Sequence, residues 1–195
     1  MSVKKQAGFT LLELMITVVI LAILSALAYP NMRNFMRHNQ VVSQSNSLQS
    51  NLMYARGLAA STRSYVSICP VSTAGSMTCS TTSGTYDLGW LVYTTTSPNT
   101  AYSAAVTTSL QMNVTAPVNV SIRAGSVGVL TYNARGELLV APAQQPTSVT
   151  FTTCAKSSSS DSIGTNTVAV PGIQLNAANS GRVFSTVLST GAACS

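Results

Sequence analysis

Four cysteines, four carboxylates and a single histidine are the side chains of this 195-residue chain with the most chemistry to offer. Their spacing favours cross-links over turnover. Cys69 and Cys79 flank a Pro-Val-Ser-Thr-Ala-Gly-Ser-Met-Thr segment, while Cys154 and Cys194 lie in the last quarter of the chain. Four cysteines allow three pairings. Cys69 with Cys79 would close a short loop beside a strand, and Cys154 with Cys194 would fasten the C-terminal tail to a sheet, so these are the expected disulfides. A zinc site competes for the same thiols, but neither pair has metal-finger spacing and His38 stands apart from both. No metal or cofactor is expected. Disulfides place whatever carries them in an oxidising space, the periplasm or outside.

The carboxylates are Glu13, Asp87, Glu137 and Asp161, with no close pair in sequence to divide general acid from general base. Serines abound, yet His38 lies on the wrong side of the domain to activate one. Neither a phosphate loop nor a dinucleotide-type glycine motif occurs. The composition does not read as an enzyme. The formal charge is +6, and loss of Lys4 and Lys5 would leave eight basic residues against four acidic ones, or +4. So modest an excess, carried mainly by arginine, permits contact with an acidic polymer without demanding it.

One element dominates the positioning of these groups. Phe9 to Tyr29 is a run of apolar residues broken by one carboxylate, Glu13. At about 1.5 Å per residue a helix of this length reaches about 30 Å, the thickness of a bilayer's hydrocarbon core. A secretory signal has a shorter apolar region, with its small-residue cleavage site after it. Here the small residue, Gly8, comes first, after Lys4 and Lys5, so a cut at Gly8 would keep the anchor. A carboxylate at the centre of a membrane helix costs about 2.5–3.5 kcal/mol on insertion scales, less near an end, and such groups are usually paired. With no basic residue between Phe9 and Tyr29, the counter-charge for Glu13 would come from elsewhere, such as the N-terminal ammonium of a neighbouring subunit. The alternative is a Glu13 near enough the interface to stay wet or protonated. Charge leaves orientation open, since Lys4 and Lys5 on one flank are matched by Arg33 and Arg37 on the other. The cysteines place the segment after the span outside the cytoplasm.

The run Gly8-Phe9-Thr10-Leu11-Leu12-Glu13-Leu14-Met15 resembles, at every position, the class III signal of type IV pilins and type II secretion pseudopilins. The resemblance implies that a prepilin peptidase cuts between Gly8 and Phe9 and N-methylates Phe9, and that Glu13, the fifth mature residue, acts in assembly. It also implies packing with other minor and major pilins through N-terminal helices, and single-pass residence in the inner membrane with a periplasmic head before export to the pilus.

Beyond the span, Pro30 falls where a proline would kink or loosen a helix, and the resembled family has one at the matching position. Val41, Ser45, Leu48, Leu52, Ala55 and Ala59 then recur at spacings of three and four. That pattern is an amphipathic helix whose stripe needs a sheet to cover it. Strands are expected at Tyr65 to Cys69, Gly89 to Tyr93, Val118 to Ile122, Val127 to Tyr132, Glu137 to Val140, Val149 to Cys154 and Arg182 to Leu188. Asn133-Ala134-Arg135-Gly136 reads as a hairpin turn. Thr94 to Thr108 and Lys156 to Gly172 are polar and read as exposed loops. The expected fold class is α+β, a pilin fold in which a long N-terminal helix packs on an antiparallel β-sheet head. Its parts are a leader at 1–8, a membrane-spanning or filament-core helix at 9–29, an amphipathic helix at 30–62 and a β-rich head at 63–195.

Within that family, Tyr54-Ala55-Arg56, Arg63-Ser64, Val66-Ser67-Ile68-Cys69-Pro70, Cys79, Gly89-Trp90-Leu91-Val92-Tyr93 and Ser180-Gly181-Arg182-Val183 resemble the GspH/FimT group, and most of all its FimU/FimT-type minor pilins. The implied role is a structural subunit of the priming or tip complex of a type IV pilus, serving twitching, adhesion or DNA uptake. A type II secretion pseudopilin is one alternative. The other is a DNA-binding pilin, because some FimT-type members capture DNA through a Gly-Arg-x-Arg motif. Here Gly181-Arg182-Val183 agrees but Phe184 replaces the second arginine, which removes one phosphate contact. Arg123, Arg135 and Lys156 would compensate only if folding gathers them with Arg182; the favoured reading is that Arg182 sits on a solvated strand face. Trp90 reads as core more readily than as a stacking platform. Arg33, Arg37 and His38 suit lipid headgroups, and Arg56 and Arg63 suit either a neighbouring subunit or water.

Overall fold

The computed structural model describes residues 9–80, 84–104, 108–116, 119–140 and 147–195. Gly8 with the rest of the leader, and Val118 of the third expected strand, lie outside the described residues. The chain forms two compact units, divided between Met36 and Arg37. Helix α1, Leu11–Thr62, contributes to both.

In the first unit almost every described side chain is exposed, from Phe9 and Leu11 to Phe35 and Met36. Two of its hydroxyls are satisfied within the helix. Thr17 Oγ1 donates to the Leu14 carbonyl at 2.9 Å and Ser25 Oγ to the Leu21 carbonyl at 2.7 Å, so neither hydroxyl needs water. Among the described residues no single helix is long and apolar enough to cross a membrane; Leu11–Ala26 and Asn31–Thr62 reach that length and composition only as a bent pair.

The second unit is built on the other half of α1, where Val41, Ser45, Leu48, Leu52, Ala55 and Ala59 are all fully buried. The helix stops at Thr62 because Arg63 turns into the left-handed region, φ 51°. Among the described residues every strand pairing beyond the helix is antiparallel. Strands β1 (Tyr65–Pro70), β2 (Trp90–Thr95), β3 (Thr108–Val114), β5 (Leu130–Tyr132) and β6 (Leu138–Val140) form one sheet in the order β3-β2-β1-β5-β6. Strands β4 (Val120–Arg123), β7 (Val149–Ala155), β8 (Ile173–Ala177) and β9 (Val183–Val187) form a second in the order β4-β7-β8-β9. Among the described residues the head therefore holds two sheets. Both share one core with the helix, in which Leu48 and Leu52 meet Ile68, Trp90, Val92, Leu130, Ile122, Phe151 and Leu175. The fold class is α+β, with the second half of the helix packed on antiparallel sheets.

The outer faces are covered too. Cys69, Leu91 and Tyr93 pack under the loops carrying Cys79 and Tyr102, which explains why β1 is buried on both faces. Cys69 and Cys79 are joined, and Cys154 is joined to Cys194, where Leu188 and Ala192 complete a small outer cluster. Buried hydroxyls find partners: Tyr86 donates to the Gly128 carbonyl at 2.8 Å and Tyr93 to the Thr100 carbonyl at 2.6 Å. Burial, reinforced for Tyr86 by Tyr93 and Tyr132, pushes these phenols far above their ordinary range, so they stay neutral donors.

Two strands depart from the pattern read in the sequence. In β3 a bulge places Val92 opposite Met112 and the next residue, Tyr93, opposite Leu110, skipping Gln111. Leu110 consequently faces the outer cluster while Met112 and Val114 face the core, and no unbroken alternation exists to be seen. β8 reads Ile-Gln-Leu-Asn-Ala and sits directly after the polar stretch, with two residue types depleted in strands. The Lys156 to Gly172 stretch has no strand of its own, but Val170 is buried against Val41 and Asn166 ties it to the tail carbonyls of Ser189 and Ala192.

Candidate functional site

At the start of α1, Thr10 Oγ1 accepts the Glu13 N–H at 3.3 Å, and Glu13 is the acidic residue of the first helical turn. Thr10-x-x-Glu13 thus has the spacing of a capping box. The unpaired N–H groups there carry the positive end of the helix dipole, so local geometry already favours a carboxylate at this position. This signal was present in the sequence, beside the assembly role that the resemblance implies for Glu13. The surrounding wall is apolar: Phe9, Leu11, Leu12, Leu14 and Met15 are all solvent-facing in the single chain.

In the head, Asp87 is the electrostatic centre. It lies on the loop entering β2 and is 5% exposed, yet it meets two cations. Oδ1 accepts from Arg123 Nη1 at 2.8 Å and from the Ile122 N–H at 2.7 Å, and Oδ2 pairs with Lys156 Nζ at 2.9 Å. Arg123 Nη2 also donates to the Ser162 carbonyl, and the Lys156 carbonyl accepts from Arg37 Nη2 at 3.1 Å. Two of the three cations considered as helpers for Arg182 are therefore engaged by a buried carboxylate. Nothing in the sequence around Asp87 announces this.

Arg135 and Arg182 do come together. The β5–β6 turn and the β8–β9 turn meet beside α1 and, with Met53, Arg56, Gly57 and Ala60, line an open groove of about 560 Å³. Arg56 binds both turns, Nε donating to the Gly136 carbonyl at 3.2 Å and Nη2 to the Ser180 carbonyl at 3.1 Å. The approach is so close that a Cβ on Gly181, φ 77°, would lie 1.8 Å from the Gly136 carbonyl oxygen. Glycine is required there. Arg135 pairs with Glu137 at 2.9 Å, and Arg182 lies 5.9 Å from the Phe184 ring. Hydrogen bonds from Asn133 and then Arg135 hold the Glu137 carboxyl below its ordinary range. Trp90 is fully buried in the core, away from any surface where a base could stack. Among the described residues no cluster of His, Cys, Asp or Glu is arranged to hold a metal ion.

Residues 3–29 match the prokaryotic N-terminal methylation motif. Residues 44–169, more than half of the chain, match the family described as type II transport protein GspH. The chain belongs to the GspH family. Two crystal structures of the type IV minor pilin FimU from Pseudomonas aeruginosa strain PAO1 are similar to this GspH-family chain at 18% identity. One aligns over 80% of this chain and 98% of FimU with a TM-score of 0.53, the other over 76% and 97% with a TM-score of 0.49. No curated protein matches significantly. GspH-family chains with this fold are structural pilin-like subunits and not enzymes.

Proposed function

We propose that this GspH-family protein is a minor pilin, a structural subunit of the priming or tip complex from which a type IV pilus is assembled. The observation that carries the reading is the first half of α1: a rod of unburied apolar side chains with one carboxylate in its first turn, directly after Gly8. Such a surface needs lipid or like helices around it, because apolar area left in water costs roughly 25 cal/mol per Å². In this reading a prepilin peptidase cuts between Gly8 and Phe9 and Phe9 is N-methylated. The anchor crosses the inner membrane once, the disulfide-bearing head faces the periplasm, and Glu13 meets the ammonium of a neighbouring subunit as the helices bundle with other minor and major pilins.

The matched family description favours a second reading, a pseudopilin of type II secretion. Deleting the gene separates the two. Loss of surface pili with secretion intact supports the pilus; unchanged piliation with lost secretion supports the pseudopilus. Mass spectrometry of the mature protein tests the processing step, and an N-terminus other than methylated Phe9 defeats both readings. DNA capture by the head is disfavoured, because Arg123 and Lys156 already serve Asp87.

A further inference from the structure

Strand β9 is an edge of the second sheet, paired with β8 on one side and, among the described residues, with no strand on the other. The Ala178 N–H donates to the Arg182 carbonyl and the Leu188 N–H to the Gly172 carbonyl, so even-numbered residues point their backbone groups at β8. By the alternation of an antiparallel ladder, Val183, Ser185 and Val187 turn N–H and C=O outward. Sheet edges are commonly guarded by lysine, proline, a bulge or a covering loop. Val-Phe-Ser-Thr-Val has neither charge nor proline, its register with β8 is unbroken, and Val187 is 70% exposed. Among the described residues the edge is open.

The arginine groove adjoins one end of it, since Val183 is both the first residue of β9 and part of the groove lining. Arg56 there donates to the two backbone carbonyls of Gly136 and Ser180, and Glu137 balances one of the three guanidiniums. The groove thus keeps a positive surplus. We propose that β9 accepts an extended segment of a partner protein as an added antiparallel strand, with an acidic residue just beyond that segment's C-terminal end seated in the groove of Arg56, Arg135 and Arg182. An antiparallel guest runs from Val187 toward Val183, which delivers its C-terminal end to the arginines. Backbone pairing supplies affinity, and the carboxylate supplies direction and choice of partner. A nucleic acid offers no backbone amides to pair with this edge. The inference goes beyond assembly through the N-terminal helices and holds for a pilus or a secretion pseudopilus.

The test uses the full chain in mild detergent and a fluorescent amidated peptide, Thr-Val-Thr-Val-Thr-Gly-Glu, with a counterpart ending in Lys. The Glu peptide should bind at least about tenfold more tightly than the Lys peptide, a difference of about 1.4 kcal/mol. It should also slow amide exchange at Val183, Ser185 and Val187. Ser185→Pro removes an outward N–H without touching the β8 ladder and should weaken binding about tenfold or more, with Val187→Lys as a second variant that adds a guarding charge. An intact Cys154–Cys194 disulfide and unchanged Trp90 emission show that each variant is folded. Arg182→Ala should reduce the preference for Glu over Lys to roughly threefold or less. No measurable binding, equal affinity for the two peptides, unaltered exchange at the three amides, or protection by a single-stranded oligonucleotide in place of the peptide would each overturn the proposal.

Discussion

Removing the Asp87 carboxylate should damage the head more than any other single surface-adjacent change. Asp87→Ala leaves Arg123 and Lys156, whose side chains are only 14% and 9% exposed, without their counter-ion, and strips the Ile122 N–H of its acceptor. Losing one member of a buried ion pair costs about 3–5 kcal/mol, because the remaining charge stays desolvated. Arg123 retains the Ser162 carbonyl, which relieves part of that burden. For a chain of this size each kcal/mol lowers Tm by about 2–4 °C, so a drop of about 6–20 °C is expected. Asp87→Asn keeps an acceptor for Ile122 but not the charge, and should fall between parent and Ala. Combining Asp87→Leu with Arg123→Met and Lys156→Met should recover most of the loss, since a well-packed apolar trio avoids the desolvation altogether. Thermal and urea unfolding of the full chain in detergent, followed by Trp90 emission, measure all of these. A loss below about 1 kcal/mol for Asp87→Ala would refute the reasoning, because it would mean that the two cations are solvated.

Three further outcomes are expected from the same unfolding assay. Gly181→Ala should cost about 2–4 kcal/mol, combining a left-handed penalty with a clash against the Gly136 carbonyl, whereas Gly75→Ala, which has a similar φ and open space around it, should cost only about 1 kcal/mol. Arg63→Gly should stabilise by about 0.5–1 kcal/mol, since Arg63 closes α1 at φ 51°. Because the Glu137 carboxyl is held below its ordinary value in the folded state, its contribution is present above the ordinary carboxylate range and disappears as pH falls through the lowered value. Glu137→Gln should therefore lower Tm near neutral pH, and by progressively less as pH falls below the ordinary carboxylate range.

Elements governed by an uninterrupted period were legible. The stripe from Val41 to Ala59 shows its buried face directly, and the Asn133 to Gly136 turn follows from the left-handed glycine it requires, with the Gly136 N–H donating to the Asn133 carbonyl at 2.8 Å. β3 was hidden because its bulge at Gln111 reverses which side faces the core, and β8 because Gln174 and Asn176 resemble a loop. Long-range electrostatics left no trace at all. Asp87 and Lys156 are far apart in sequence and meet only once β4 and β7 pair, through Ser121 opposite Cys154. Arg56 likewise reads as an ordinary polar residue of an amphipathic helix until two distant turns present their carbonyls to it.

The hydrogen bond between Thr10 and the Glu13 amide has a consequence for maturation. Both partners lie downstream of residue 8, so trimming a leader there would leave this hydrogen bond in place. The newly exposed amine would appear at the end of the rod where the peptide dipoles repel a positive charge, with the Glu13 side chain one turn away to offset it. A subunit so built would carry that capping hydrogen bond into the bundle.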